Sequence, residues 1–195
     1  MQPAVSFPLV TLRDLVVVRL GVAVNLVIGQ IVAALLLPVF LDAVGTILVA
    51  SLVGWRAALI AGLTSQVLAA VLSGNFAWLP FALVQVVIAL YAAAAARLGA
   101  FRSLWTALPA GLLLGALAGG TAAPIAYYVF GGATAGGVTA VTAILRAAGL
   151  PLPIAVGISS IGTDLLDKTI AFGLVCVVLR TLPGHLATRF PALAR

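Results

Sequence analysis

The 195-residue chain carries four acidic and ten basic side chains, no glutamate, and 64% apolar residues. Soluble domains carry about 25% charged residues against 7% here, which excludes a soluble globular protein and points to an all-α membrane protein. The formal charge of +6 comes from nine arginines and Lys168; they lie singly at segment ends and form no basic stripe, which excludes nucleic acid as a partner.

A membrane-crossing helix needs roughly 20 apolar residues. The apolar runs predict one integral membrane domain over 1–195, with no room for a soluble catalytic domain. Spans are expected at about 15–39, 41–54, 57–73, 76–96, 104–130 and 158–182. The first ends at Pro38 and the second closes at Gly54-Trp55-Arg56. The third ends at Ser73-Gly74-Asn75, and the fourth stops before Arg97. Gly131-Gly132 and Gly136-Gly137 break the pattern after the fifth, and a short helical piece at 138–148 carries Arg146. Pro151 and Pro153 interrupt again before the last span, which stops at Pro183-Gly184. Residues 1–12 hold no basic stretch ahead of the first run, so that run is expected to remain as a span, uncleaved.

Six spans put both termini on one side. Arg13, Arg19, Arg56, Arg97, Arg102, Arg180, Arg189 and Arg195 then share that side, with Arg146 alone opposite. The asymmetry predicts cytoplasmic termini in a plasma-membrane protein. Two small-residue stripes recur at every fourth position: Gly21, Asn25, Gly29 and Ala33, and Gly111, Gly115 and Gly119. Such stripes let helix backbones approach closely in lipid, either within one bundle or against another subunit. Docking to another membrane subunit is expected of the first stripe only.

Catalytic signatures are missing. His185 is the only histidine, so no serine has an intramembrane histidine base, and no HExxH or His/Cys/Asp/Glu metal spacing occurs. Asp164 and Asp167 lie three apart on one helix beside Lys168, a spacing for ion pairing and not for two facing catalytic acids. No GxxxxGK[ST] is present for ATP. Cys176 is the only cysteine and sits in an apolar run, where an inert buried thiol is expected. The expectation is a non-enzyme without metal or cofactor.

The polar residues that remain gather toward the non-cytoplasmic half: Asp42 after Pro38, Asn75 and Trp78 in the third turn, Tyr127 and Tyr128 ending the fifth span, and Thr163, Asp164, Asp167 and Lys168 in the sixth. Converging, they would line an outward-facing pocket for a small molecule, aromatic enough for a flat ring. Asp42, Asp164 and Asp167 set against Arg146 and Lys168 suggest a ligand of little net charge. Simpler roles stand beside these. Trp78, Tyr127 and Tyr128 suit an interfacial belt, Asp164 and Lys168 an i,i+4 pair, Asp42 a cap for the second helix, and Asn25 and Gln85 bonds between helices.

Three stretches carry a family resemblance: Pro38-Val39-Phe40-Leu41-Asp42-Ala43-Val44-Gly45-Thr46, Ala123-Pro124-Ile125-Ala126-Tyr127-Tyr128-Val129-Phe130-Gly131-Gly132, and Thr163-Asp164-Leu165-Leu166-Asp167-Lys168 with Leu182-Pro183. With the length and the six spans, the chain resembles the substrate-binding S components of energy-coupling factor (ECF) vitamin transporters. The resemblance implies a high-affinity binder of a vitamin-like nutrient that works with a coupling membrane subunit and two ATPase subunits. It implies docking through small residues of the first helix, here Gly21, Gly29, Ala33 and Ala34, where the family is alanine-rich. The rival readings are a membrane sensor or scaffold module and a small membrane enzyme acting on lipid.

Overall fold

The computed structural model describes residues 11–134 and 137–182. His185, Gly136, Pro183, Gly184, Arg189, Arg195 and the N-terminal stretch 1–10 lie outside the described residues. The regular structure is helical, without a strand among the described residues: α1 Leu12–Ala34, α2 Val44–Leu52, α3 Trp55–Ser73, α4 Ala82–Arg97, α5 Leu104–Tyr128, α6 Gly137–Ala147 and α7 Leu152–Thr181, with 3-10 turns at Phe76–Phe81 and Ala100–Arg102.

Four helical segments are long and apolar enough to cross a membrane: Leu12–Ala34, Trp55–Ser73, Phe76–Arg97 and Leu104–Tyr128. Two of the six expected spans differ from this type. The second reduces to α2, nine residues long and buried at eight of them. At 1.5 Å per residue it covers about 14 Å, half the hydrocarbon thickness, and it serves as a core peg between α1, α3 and α4. The last, α7, is 30 residues long, about 45 Å, but it carries buried Asp164, Asp167 and Lys168 halfway along.

Boundaries shift for local reasons. α1 ends at Ala34, five residues before the expected limit, because Leu36 adopts φ 54 and turns the chain back. Residues 35–43 then form a loop with a second left-handed residue, Leu41 at φ 50. Leucine pays a steric penalty in this region, so the loop must be held by contacts elsewhere. α7 begins at Leu152, earlier than the expected 158, because Pro153 sits in its first turn. The N–H that proline lacks has no intrahelical acceptor there. The proline pair opens the helix and does not interrupt it.

Helix packing follows the small residues. A Cβ placed on Gly115 would stand 2.5 Å from Leu165 Cα, on Gly119 2.6 Å from Ile161 Cα, and on Gly111 2.8 Å from the Lys168 carbonyl oxygen. The Gly111–Gly115–Gly119 stripe is therefore the antiparallel α5–α7 seam. Gly21 meets Gly45 and Val49 while Gly29 meets Asp42, so α2 runs antiparallel to α1. α3 returns from α2 through Gly54 at φ 118, a left-handed position that suits glycine. These pairings gather Arg13, Arg56, Arg97, Arg102 and Arg180 at one end of the bundle. At that end Phe101 stacks on Phe172 with centroids 4.9 Å apart. The opposite end holds the 35–43 loop, the Phe76–Phe81 turn and α6. α6 is fixed to α7 by a 2.7 Å hydrogen bond between the Thr142 and Ser159 hydroxyls.

Candidate binding cavity

A cavity of about 290 Å³ runs along α1 and α3 toward the loop end. Its walls come from Asn25, Gly29 and Ala33 of α1, Phe40 and Asp42 of the loop, Ser65, Gln66, Ala69 and Ser73 of α3, and Trp78 and Gln85. A second, smaller compartment of about 70 Å³ is bounded by Asp164, Lys168 and Ser160 of α7, Ala122 and Ala126 of α5, and Val138 of α6. Phe40, Asp42, Gln66, Trp78 and Gln85 line both. The two spaces adjoin across a partition of one loop, one aromatic ring and two amides.

Asn25 organises the larger compartment. Its Oδ1 accepts the Gly45 and Thr46 backbone N–H groups at 2.7 and 3.3 Å. Its Nδ2 donates to Thr46 Oγ1 at 2.9 Å and Ser65 Oγ at 3.0 Å. Thr46 Oγ1 in turn donates to Gln85 Oε1 at 3.1 Å. α2 has no side-chain cap of its own. The orphan donors of its first turn are met from α1; the capping role weighed for Asp42 belongs to Asn25. Gln66 Nε2 reaches the Trp78 carbonyl at 2.8 Å and so fixes the turn that carries the tryptophan.

The smaller compartment is bounded by the ionic side chains Asp42, Asp164 and Lys168, with Asp167 packed against Lys168. Lys168 is 2% exposed, Asp164 3% and Asp167 0%. Lys168 Nζ lies 3.2 Å from Asp164 Oδ1 and also donates to Asp167 Oδ2. The other Asp167 oxygen accepts the Phe40 and Leu41 backbone N–H groups at 2.8 and 2.6 Å. Charges taken this far from water stand only with partners, and here the partners include the strained loop. Asp167 thus joins α7 to the partition between the compartments. Trp78, Phe81 and Phe130 pack in a triangle with centroids 5.4 to 5.8 Å apart, closing the wall toward the end of α5.

Of the expected site residues, the structure brings Asp42, Trp78, Asp164 and Lys168 onto the cavity walls. It does not bring Asn75, Tyr127 or Tyr128 there. Asn75 is exposed and caps the 3-10 turn, its Oδ1 accepting the Ala77 N–H at 3.1 Å. Tyr128 is 82% exposed and meets Tyr127 edge-on at 4.9 Å; neither ring lines a compartment. Arg146 is exposed and donates to the Leu150 carbonyl at 3.1 Å, away from the acids it was expected to balance. Of the four residues read as a docking stripe, Gly21 and Asn25 face inward, Gly29 packs on Asp42, and Ala33 alone is exposed. Sequence reasoning overlooked Phe40, Ser65 and Gln66 as wall residues and read Gln85 only as a bond between helices. Ser65, Ala69 and Ser73 recur every fourth residue of α3, a small and polar face inside an apolar span that was there to be seen.

Comparison with protein-family models, curated proteins and solved structures finds no match to this chain.

Proposed function

We propose that this chain is the substrate-specific binding subunit of an ECF-type importer, taking up a small vitamin-like nutrient without chemistry of its own. The observation that carries this reading is the two-compartment cavity. Inside a bundle of apolar helices it concentrates Asn25, Asp42, Gln66, Gln85, Asp164 and Lys168 around aromatic faces. Polar and ionic groups are expensive at membrane depth and mark ligand paths by default. A mostly apolar, concave space with a few convergent polar groups is the form of a small-molecule site. The sequence resemblance supplies the transporter context. In it the arginine end faces the cytoplasm, the cavity end faces outward, and six helices, short α2 among them, make the membrane domain. Separate coupling and ATPase subunits supply the energy. Docking uses the exposed face of α1, where Ala33 and Ala34 remain at the surface.

The test is ligand-induced stabilisation of the purified protein, since anything binding the folded state raises apparent stability by mass action. A vitamin or precursor should raise the melting temperature in detergent, and Trp78→Ala should abolish the rise. Stabilisation that survives Trp78→Ala and Gln66→Ala alike would place the site elsewhere. Copurification of tagged protein with a coupling subunit and ATPases from its own host tests the partners.

A further inference from the structure

We infer that the ligand of this cavity carries a positive charge. The inference rests on the binding reading above and names the chemical class that the site accepts. Two carboxylates, Asp42 and Asp164, line the compartments, a third, Asp167, lies fully buried against Lys168, and Lys168 is the one ammonium among them. Lys168 pairs with Asp164 and Asp167, so its single charge is already divided between two acids. Asp167 is further engaged by the Phe40 and Leu41 backbone N–H groups. Asp42 makes neither close contact, feels Lys168 only at longer range, and lines both compartments. No arginine or histidine lines either compartment among the described residues, and Arg146 is turned to its own helix end.

An anion entering this space would add to an existing excess of negative charge in surroundings that screen it poorly. A neutral molecule would leave Asp42 with only its backbone hydrogen bond and the longer-range pull of Lys168, whose close contacts go to two other acids. A cation meets Asp42 directly and finds the Trp78 and Phe40 rings on the same walls, where aromatic faces attract positive charge. The ligand class is thus a small organic cation, a protonated amine or a quaternary nitrogen, attached to an apolar or flat body.

The experiment is a thermal-shift and equilibrium-binding panel sorted by charge: thiamine and tryptamine as cations, nicotinamide and adenine as neutral molecules, nicotinate and biotin as anions. Stabilisation confined to cations is the expected result. Asp42→Asn keeps the shape and removes the charge, so it should weaken the stabilising cation by about 10- to 100-fold, the loss expected when a charged group loses its partner. Asp42→Asn should melt within a few degrees of the wild type without ligand, which separates binding from folding. Stabilisation by neutral or anionic compounds would overturn the charge assignment while leaving a binding protein. Cation affinity unchanged in Asp42→Asn would overturn it too. Stabilisation by none of the six would count against the binding reading itself.

Discussion

Asp167 accepts the backbone N–H of Leu41 at 2.6 Å across 126 positions of sequence, and Leu41 is one of two non-glycine residues held at positive φ among those described. The bond explains how an unfavourable backbone persists. A buried carboxylate that must find donors, and a strained loop that must be held, meet each other's need. The same carboxylate anchors Lys168, so one side chain couples the loop partition to the ionic wall of the cavity.

Asp167→Ala should therefore release both. Removing one partner of a buried pair typically costs about 3–5 kcal/mol, and Lys168 keeps Asp164, so a loss near the lower limit is expected. Asp167→Asn retains an oxygen for the two N–H groups and should lose less. Detergent melting curves give the order, and amide exchange at Phe40 and Leu41 should quicken in the alanine variant. Wild-type melting and wild-type exchange in Asp167→Ala would mean that the loop is held by other contacts.

A second prediction concerns Asn25, which serves α2 and α3 at once. Asn25→Leu fills a similar volume but leaves the Gly45 N–H without its acceptor. Each unsatisfied buried group costs about 1–3 kcal/mol. Asn25→Leu should lower stability by about that amount or more, while Gln30→Leu, at an exposed position of the same helix, should change it by less than about 0.5 kcal/mol. Equal melting of the two variants would remove Asn25 from its role as the cap of α2.

Composition made the membrane class and the helical architecture legible, because charge depletion and apolar run length are direct demands of lipid. The α5–α7 seam was legible as a small-residue stripe, though sequence alone did not say what it packed against. The 35–43 loop was not legible: leucine has no preference for positive φ, and nothing near Leu41 announces that Asp167 holds it. Pro153 was misread because proline breaks a helix interior but suits its first turn. Asp42, Trp78, Asp164 and Lys168 were found as polar residues out of place in lipid. Asn75, Tyr127 and Tyr128 share that signature, but exposed caps and surface rings carry it equally well. Gln66 and Gln85 reach the walls through helix phase, which becomes visible only once the neighbouring helices are placed.

The α5–α7 seam gives a paired test. A Cβ on Gly115 would lie 2.6 Å from the Asp164 carbonyl oxygen, whereas one on Gly120 would meet nothing within 4 Å. Gly115→Leu must push α7 away and displace the segment bearing Asp164 and Lys168. Overpacking of this kind typically costs about 1–3 kcal/mol, and more is expected where backbone meets backbone. Gly120→Leu adds a side chain to an exposed surface and should melt like the wild type. If both variants melt alike, the close approach of α5 and α7 is not what holds the bundle together.

The last prediction separates folding from assembly on α1. Gly21 and Ala33 belong to one sequence stripe, yet a Cβ on Gly21 would lie 2.5 Å from Val49 Cγ2, while Ala33 is exposed. Gly21→Leu should therefore fail before any partner is involved, with low yield or a collapsed melting temperature. Ala33→Leu should fold and melt as the wild type does. Under the proposed function it should also lower copurification with a coupling subunit, because a bulky residue separates two helices that meet through small ones. Ala33 lines the larger compartment as well, so ligand affinity is measured on the same sample. Affinity lost with assembly intact would assign Ala33 to the cavity and move docking to another face. Assembly lost with affinity intact would assign the exposed side of α1 to the partner.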